Sequence, residues 1–334
     1  MDFSKVMELN DNEKINYLSN SNIKLETWEK IEIIDSLKDS RLKVYCLMNT
    51  DIGLDSSNKV SIISSIKEKQ LILDCLINPK IGLSSFDKAN VVLLIEDDGF
   101  KIECLTNPSI CLDFSDKSEP AISLVEIVLS LKDDKSKISC MTNSKIVLDS
   151  FEKARIICSM EDEKLKIACM NDKQIDLQSF GKAMIISSLE DDEKKLRYMQ
   201  DSTMGFNEKD KLLIICSLQE ERKFEKFGFT PSDDLYKNSL GLPSNMTFGI
   251  ELEAEGEYAE PIKVVAKILS EWKVENESTL EKGVEIVSPV LHSEESDMYS
   301  LATVCNVMQE LGLYTNERCA RSHTFWCRLF RKRL

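Results

Sequence analysis

Along the front of the chain, hydrophobic residues recur at helical spacing, and that spacing restarts at a fixed interval. Between Lys153 and Asn171, Ile156, Ile157 and Met160 share one helical face, a polar Glu161-Asp162-Glu163 turn follows, and Leu165, Cys169 and Met170 resume the spacing. The pattern predicts two short helices joined by an acidic turn. Units begin at Lys30, Lys59, Lys88, Leu124, Lys153, Lys182 and Lys211, 29 residues apart except for one interval longer by seven. The extra residues fall around Phe114 to Ala121, where Asp116, Ser118 and Pro120 suit a loop insertion.

After the second helix of a unit comes an Ile-x-Leu step such as Ile175-Asp176-Leu177, with Ser150 or Ser179 placed to cap the next helix. A single helix hairpin cannot hide its apolar face, whereas stacked neighbours bury a continuous core. The expected arrangement is therefore an α-solenoid of about seven two-helix repeats over residues 1–229, offering a concave face to a protein partner. The unit from Lys211 breaks up near Phe227-Gly228-Phe229, as a terminal cap would. The period is shorter than that of tetratricopeptide, ankyrin or armadillo arrays, and the repeat is assigned to none of them. Acidic pairs at the turns, Asp97-Asp98, Asp133-Asp134 and Asp191-Asp192, read as solvated helix ends.

The period then changes. Residues 230–245, with Thr230-Pro231-Ser232 and Gly241-Leu242-Pro243, are rich in turn formers and read as a linker. Beyond it, Phe248, Ile250 and Leu252 alternate with Glu251 and Glu253, and Val284 and Ile286 alternate with Glu285. In extended strands such alternation puts the apolar residues on one face and the carboxylates on the other. If the strands pair, Glu251, Glu253 and Glu285 share a sheet surface. A hard cation such as Mg²⁺ would relieve their mutual repulsion. The same alternation also describes an ordinary half-exposed antiparallel strand, and spacing alone does not separate the two.

The order of these pieces resembles the amidoligase family, ATP-dependent ligases related in fold to the carboxylate-amine ligases and glutamine synthetase. In that family a strand F-G-x-E-x-E precedes a helix, a W-x-V-x-x-D-x-S-L segment and then G-x-E-I-V-S-P. Here the corresponding residues are Met246 to Glu253, a helix over about Glu260 to Trp272, Trp272 to Leu280, and Gly283 to Pro289, followed by a helix over about Glu294 to Leu313. Glu277 stands where the family shows Asp. The resemblance covers residues 246–319 and implies the front part of an α+β ligase domain, with an antiparallel sheet and helices. It further implies Mg²⁺ and ATP as cofactors, carboxylate and amine substrates (a peptide or protein among the candidates), and an amide formed through an acyl-phosphate. By motif position Glu251, Glu253, Glu285 and Glu277 would bind metal, since several acidic ligands neutralise charge on a transferring phosphoryl group.

After Cys319 the family's C-G-x-H-x-H-x-G strand is missing, and the chain runs Ala320-Arg321-Ser322-His323 to a basic end. One synonymous set of codons for this tail, read with a single base removed at Ala320, gives Cys-Gly-Gly-His-Thr-His-Phe-Gly. Residues 320–334 are therefore read as a frameshifted tail, His323 receives no catalytic role, and the chain as it ends is expected to have little or no ligase activity. The competing reading is an α-solenoid interaction module whose acidic strands only pack.

Composition narrows these readings. A length of 334 residues suggests about two domains, and 42% hydrophobic residues can supply real cores. A net charge of −15 argues against nucleic acid as the main partner. Met1 to Lys5 shows no secretory signal and no apolar run spans a bilayer, so a cytoplasmic location without membrane contact is expected. The 11 cysteines include no C-x-x-C pair, and Cys46, Cys75, Cys104, Cys140 and Cys169 recur at one repeat position, as reduced packing residues would.

Overall fold

The structure, a computed structural model, describes residues 3–20, 23–112, 123–219, 223–231, 247–265, 271–276, 283–292 and 294–315. The insertion around Phe114 to Ala121, most of the linker, Glu277, and the tail from Asn316 onward lie outside these residues. The described residues are mostly helical, with 18 α-helices and a small antiparallel β region near the C-terminus. No helix among them is long and apolar enough to cross a membrane.

The helices come in pairs, as the repeat predicts. They are α1 (Phe3–Met7) with α2 (Asp11–Leu18), α3 (Thr27–Asp35) with α4 (Ser40–Met48), α5 (Ser56–Ser64) with α6 (Lys69–Ile77), α7 (Ser85–Leu94) with α8 (Asp98–Thr106), and α9 (Leu124–Leu129) with α10 (Asp134–Thr142). Then follow α11 (Ser150–Cys158) with α12 (Glu163–Asn171), α13 (Ser179–Ser187) with α14 (Asp192–Gln200), and α15 (Glu208–Cys216) with α16 (Lys223–Lys226). Contacts group the chain into two compact units, Met1–Leu148 and Asp149–Leu334, so the last three pairs share a unit with the β region.

Most of the short helices are held at their start by an acidic or polar side-chain cap. The aspartates of the turns are not merely solvated: Asp97, Asp133 and Asp191 are the N-caps of α8, α10 and α14. The residue after the cap reaches the next pair. In the first unit Asp98 accepts from the backbone N–H groups of Lys132 and Asp133, and in the second Asp192 accepts from that of Gln219. The serine caps expected at Ser150 and Ser179 are displaced by one residue. Asp149 caps α11 through a capping box with Glu152, because its carboxylate already sits one position earlier, and Gln178 precedes α13 without a side-chain cap. Ser150 instead accepts from the backbone N–H of Gln178, at 2.9 Å.

That bond leaves room only for glycine at residue 181. A Cβ there would lie 2.9 Å from the Ser150 hydroxyl and 3.2 Å from its carbonyl oxygen. Gly181→Ala must push Ser150 off Gln178, and it is expected to cost about 1–3 kcal/mol in urea denaturation.

Lysines bridge successive pairs. In the first unit Lys14 donates to the Ser36 hydroxyl at 2.9 Å, Lys43 to that of Ser65 at 2.9 Å and Lys101 to that of Ser130 at 2.7 Å. In the second, Lys166 lies 3.4 Å from the Ser188 hydroxyl and Lys195 donates to the Ser217 carbonyl at 2.8 Å. These ammonium groups are buried, and each serine is the C-cap of the first helix of the next pair. A buried charge without such partners would be costly. The cysteine column behaves as packing residues should: Cys46, Cys75, Cys104, Cys140 and Cys169 are all buried, and none of them is in a disulfide.

Candidate functional site

Strands β2 (Glu251–Glu255), β3 (Lys273–Asn276) and β4 (Gly283–Val287) form one antiparallel sheet in the order β2-β4-β3. Alternation sets its two faces. Leu252, Ala254, Val284 and Ile286 are buried on one face, against α17 (Ala259–Val265), which packs on β3 and β4. The carboxylates take the other.

Register then decides which of them meet. Glu253 lies opposite Glu285, and Glu285 lies opposite Glu275, so three carboxylates from three strands stand in one row. Directly opposed residues share a face with Cβ atoms about 5 Å apart. Glu251 is on the same face one row away, opposite Val287, which is in turn opposite Lys273. The expectation that Glu251, Glu253 and Glu285 share a surface therefore holds in register, while Glu277 lies outside the described residues. Glu275 was not singled out in the sequence. Its signal was the alternation Lys273-Val274-Glu275, too short to read until the strand pairing supplied its neighbours. Glu253 and Glu285 are half-buried, and Glu251 and Glu275 are exposed.

The expected single strand from Met246 to Glu253 is broken in two. Thr247–Phe248 (β1) pairs instead with Leu291–His292 (β5) in a separate sheet, and Gly249-Ile250 forms the bend. Ser288 fixes this bend: its hydroxyl accepts from the Ile250 N–H at 2.8 Å while its own N–H donates to the Ile250 carbonyl at 2.8 Å. The Ser of the G-x-E-I-V-S-P stretch thus aligns β2 against β4.

Beyond the sheet, α18 (Glu295–Glu310) buries Met298, Leu301, Val304, Val307 and Met308. It also receives the Trp272 indole N–H at Ser300, 2.9 Å away. His292 and Asp297 form an exposed pair at 3.1 Å at the start of this helix. At the far end of β2, Glu255 exchanges both backbone hydrogen bonds with Tyr314. Tyr258, just after the strand, donates its hydroxyl to the fully buried Asp210 of α15 at 2.8 Å. Burial, reinforced by the Asp210 carboxylate, raises the Tyr258 phenol above its usual range.

Chemically the row is a set of hard oxygen donors on a rigid sheet, suited to Mg²⁺ by ligand type. Among the described residues, however, no three His, Cys, Asp or Glu side chains are placed close enough together to hold a metal ion. Comparison of the chain with protein-family models, with curated proteins and with solved structures yields no match.

Proposed function

We propose that the β region is the metal- and nucleotide-facing part of an ATP-dependent ligase that joins a carboxylate to an amine, carried by helix pairs stacked as an α-solenoid. The row Glu253-Glu285-Glu275, with Glu251 beside it, is the observation that supports this reading. In such a reaction the γ-phosphoryl group of ATP passes to an oxygen of the substrate carboxylate and ADP leaves. The amine nitrogen then attacks the acyl carbon, and the bond to the phosphate oxygen breaks. Mg²⁺ would neutralise phosphoryl charge, and Glu251, Glu253, Glu285 and Glu275 are the residues that would hold it. The lysine bonds between successive helix pairs support the stacked arrangement.

Titration calorimetry with Mg²⁺, followed by Mg²⁺ with a non-hydrolysable ATP analogue, tests the reading. Glu253→Gln and Glu285→Gln are each expected to weaken Mg²⁺ binding about tenfold or more, with the far-UV spectrum unchanged. Mg²⁺ binding that is absent, or equal in both variants and the parent protein, would remove the carboxylate row as a metal site.

A second reading, a protein-binding array without catalysis, is favoured by one observation. Tyr45, Met48 and Ile77 are exposed on α4 and α6, where water-facing apolar side chains suit a protein partner.

A further inference from the structure

The second helix of a pair ends on an amide or a carboxylate at one repeated position. In the first unit Asn49, Asn78, Asn107 and Asn143 are the C-caps of α4, α6, α8 and α10, and in the second unit Asp172 and Asp201 are those of α12 and α14. All of them do the same local work. A side-chain oxygen accepts the backbone N–H two residues on, at 3.0 Å for each asparagine and at 2.8 and 2.9 Å for Asp172 and Asp201. That turn needs one oxygen, which aspartate supplies as well as asparagine does. What asparagine adds is an NH2 donor in place of a charge, with its direction set because the oxygen is already committed. The Nδ2 groups of Asn49, Asn107 and Asn143 have no partner among the described residues. That of Asn78 has only Met48 Sδ, a weak acceptor, at 3.4 Å.

The Asn78–Met48 contact also shows that the asparagines border the water-facing stripe of the same helices. On that stripe Tyr45, Met48 and Ile77 are exposed apolar residues of α4 and α6, and Asp74 of α6 and Glu103 of α8 are exposed carboxylates one period apart. The Asp74 carboxylate accepts from the neutral Gln70 amide, and neither Asp74 nor Glu103 pairs with a cation among the described residues. Arg41 and Lys135 stand on the stripe of the outer helices α4 and α10, while Lys80 and Lys145 belong to the turns beyond the asparagines. The centre of the face is therefore acidic. Spacing selects the backbone that could lie across it. The second helices pack side by side, α4 on α6 and α8 on α10, and packed helix axes are about 8–10 Å apart. A polyproline II chain returns the same edge every third residue, about 9.3 Å, and leaves its carbonyls without internal partners. A β-strand returns its edge every second residue, about 6.7 Å, and falls out of step.

We propose that this face of the first unit binds a basic peptide in the polyproline II conformation. Its backbone carbonyls, one in every three, accept from the Nδ2 groups of Asn49, Asn78, Asn107 and Asn143, so that four rungs span about ten residues. Its lysine or arginine side chains lie over Asp74 and Glu103, and an apolar residue at one end covers Tyr45, Met48 and Ile77. The inference names the partner class for the helix array and does not depend on metal or nucleotide at the sheet.

Fluorescence anisotropy on the full chain, without Mg²⁺ or nucleotide, tests it. The probe is a dye-labelled ten-residue peptide with proline at every third position, lysines through the middle and leucine at one end; its control carries glutamate for each lysine. The basic peptide is expected to bind saturably and about tenfold or more tighter than the acidic one. Asn107→Asp together with Asn143→Asp keeps the oxygen of each turn, as Asp172 and Asp201 show, so the far-UV spectrum should not change. Binding of the basic peptide should nevertheless weaken about tenfold or more, because two donors are lost. The sign of this change is decisive: each substitution adds a negative charge, and attraction by charge alone would tighten the complex. Asp74→Asn with Glu103→Gln should weaken the basic peptide and flatten its dependence on salt. Absence of saturable binding, equal binding of the two peptides, or an Asn107→Asp, Asn143→Asp variant that binds as tightly as the parent overturns the proposal. So does a dimer in sedimentation that the same two substitutions dissociate, since the face would then belong to a second copy of the chain.

Discussion

Raising the pH from about 8.5 to about 10 is expected to unfold the protein cooperatively, with little effect of salt on the midpoint. Burial pushes the thiols of Cys46, Cys140 and Cys158 up to about 11, and those of Cys75, Cys104, Cys216 and Cys305 up to about 12. An unfolded chain releases these protons near pH 8.5, so above that pH the folded state holds more protons than the unfolded one. Stability is therefore fully present below about pH 8.5 and declines as pH rises toward the folded values. Each thiol contributes a slope of about 1.4 kcal/mol per pH unit. Even at half that slope, the seven thiols together cost on the order of 7 kcal/mol by pH 10, comparable with the whole stability of an ordinary domain. General repulsion on a chain of net charge −15 would be relieved by salt, whereas desolvation of a buried thiolate would not. The measurement is urea denaturation at several pH values, at low and high salt. Cys75→Ala should flatten the dependence of stability on pH by about one thiol's share, about 1.4 kcal/mol per pH unit, whatever it costs in packing at neutral pH. Stability unchanged between pH 8 and pH 10 would show that burial does not hold these seven thiols protonated.

The paired helices were legible because one small apolar residue, the cysteine, returns at a fixed interval on a helical pattern; both signals are local. The lysines were equally visible as unit markers, yet their role was not. Lys30 and Lys43 make their bonds 22 residues away, and nothing in a window of one helix shows which carbonyl or serine will face them. The acidic turns misled for the same reason. Asp97 acts within its own helix, but Asp98 acts on the backbone of the following pair, a partner that exists only once the pairs are packed. In the β region, alternation placed Glu251, Glu253 and Glu285 on one face, and register was the missing quantity. Only the pairing of β3 with β4 shows that Glu275 completes a row with Glu253 and Glu285 while Glu251 sits one step along. The break at Gly249-Ile250 was hidden too, because a bend held by Ser288 from another strand leaves no trace in the alternation before it.

Tyr258→Phe is expected to destabilise the second unit by about 1–3 kcal/mol and to loosen the β region and α15 together. Asp210 is fully buried at the third position of α15, where one carboxylate oxygen accepts from the Asn207 N–H in a capping box and the other from the Tyr258 hydroxyl. A buried carboxylate that loses one donor keeps its desolvation cost and recovers no bond to water, which is why truncating the donor costs more than an average hydrogen bond is worth. The Lys209 ammonium, 5.6 Å from the Tyr258 ring centre, will still face a phenylalanine, so the change isolates the hydroxyl. Asp210→Ala removes the same bond from the other side together with the α15 capping box. A double-mutant cycle should therefore give a coupling of about 0.5–3 kcal/mol between the two positions. Because Tyr258 follows directly on β2, whose carboxylates form the proposed metal face, the cycle also asks whether the helix array holds that strand in place. Denaturation of Tyr258→Phe followed by far-UV circular dichroism and by Trp272 fluorescence should shift both signals by the same amount. A shift in fluorescence alone, or no shift in either, would mean that the buried bond does not join the two parts into one cooperative structure.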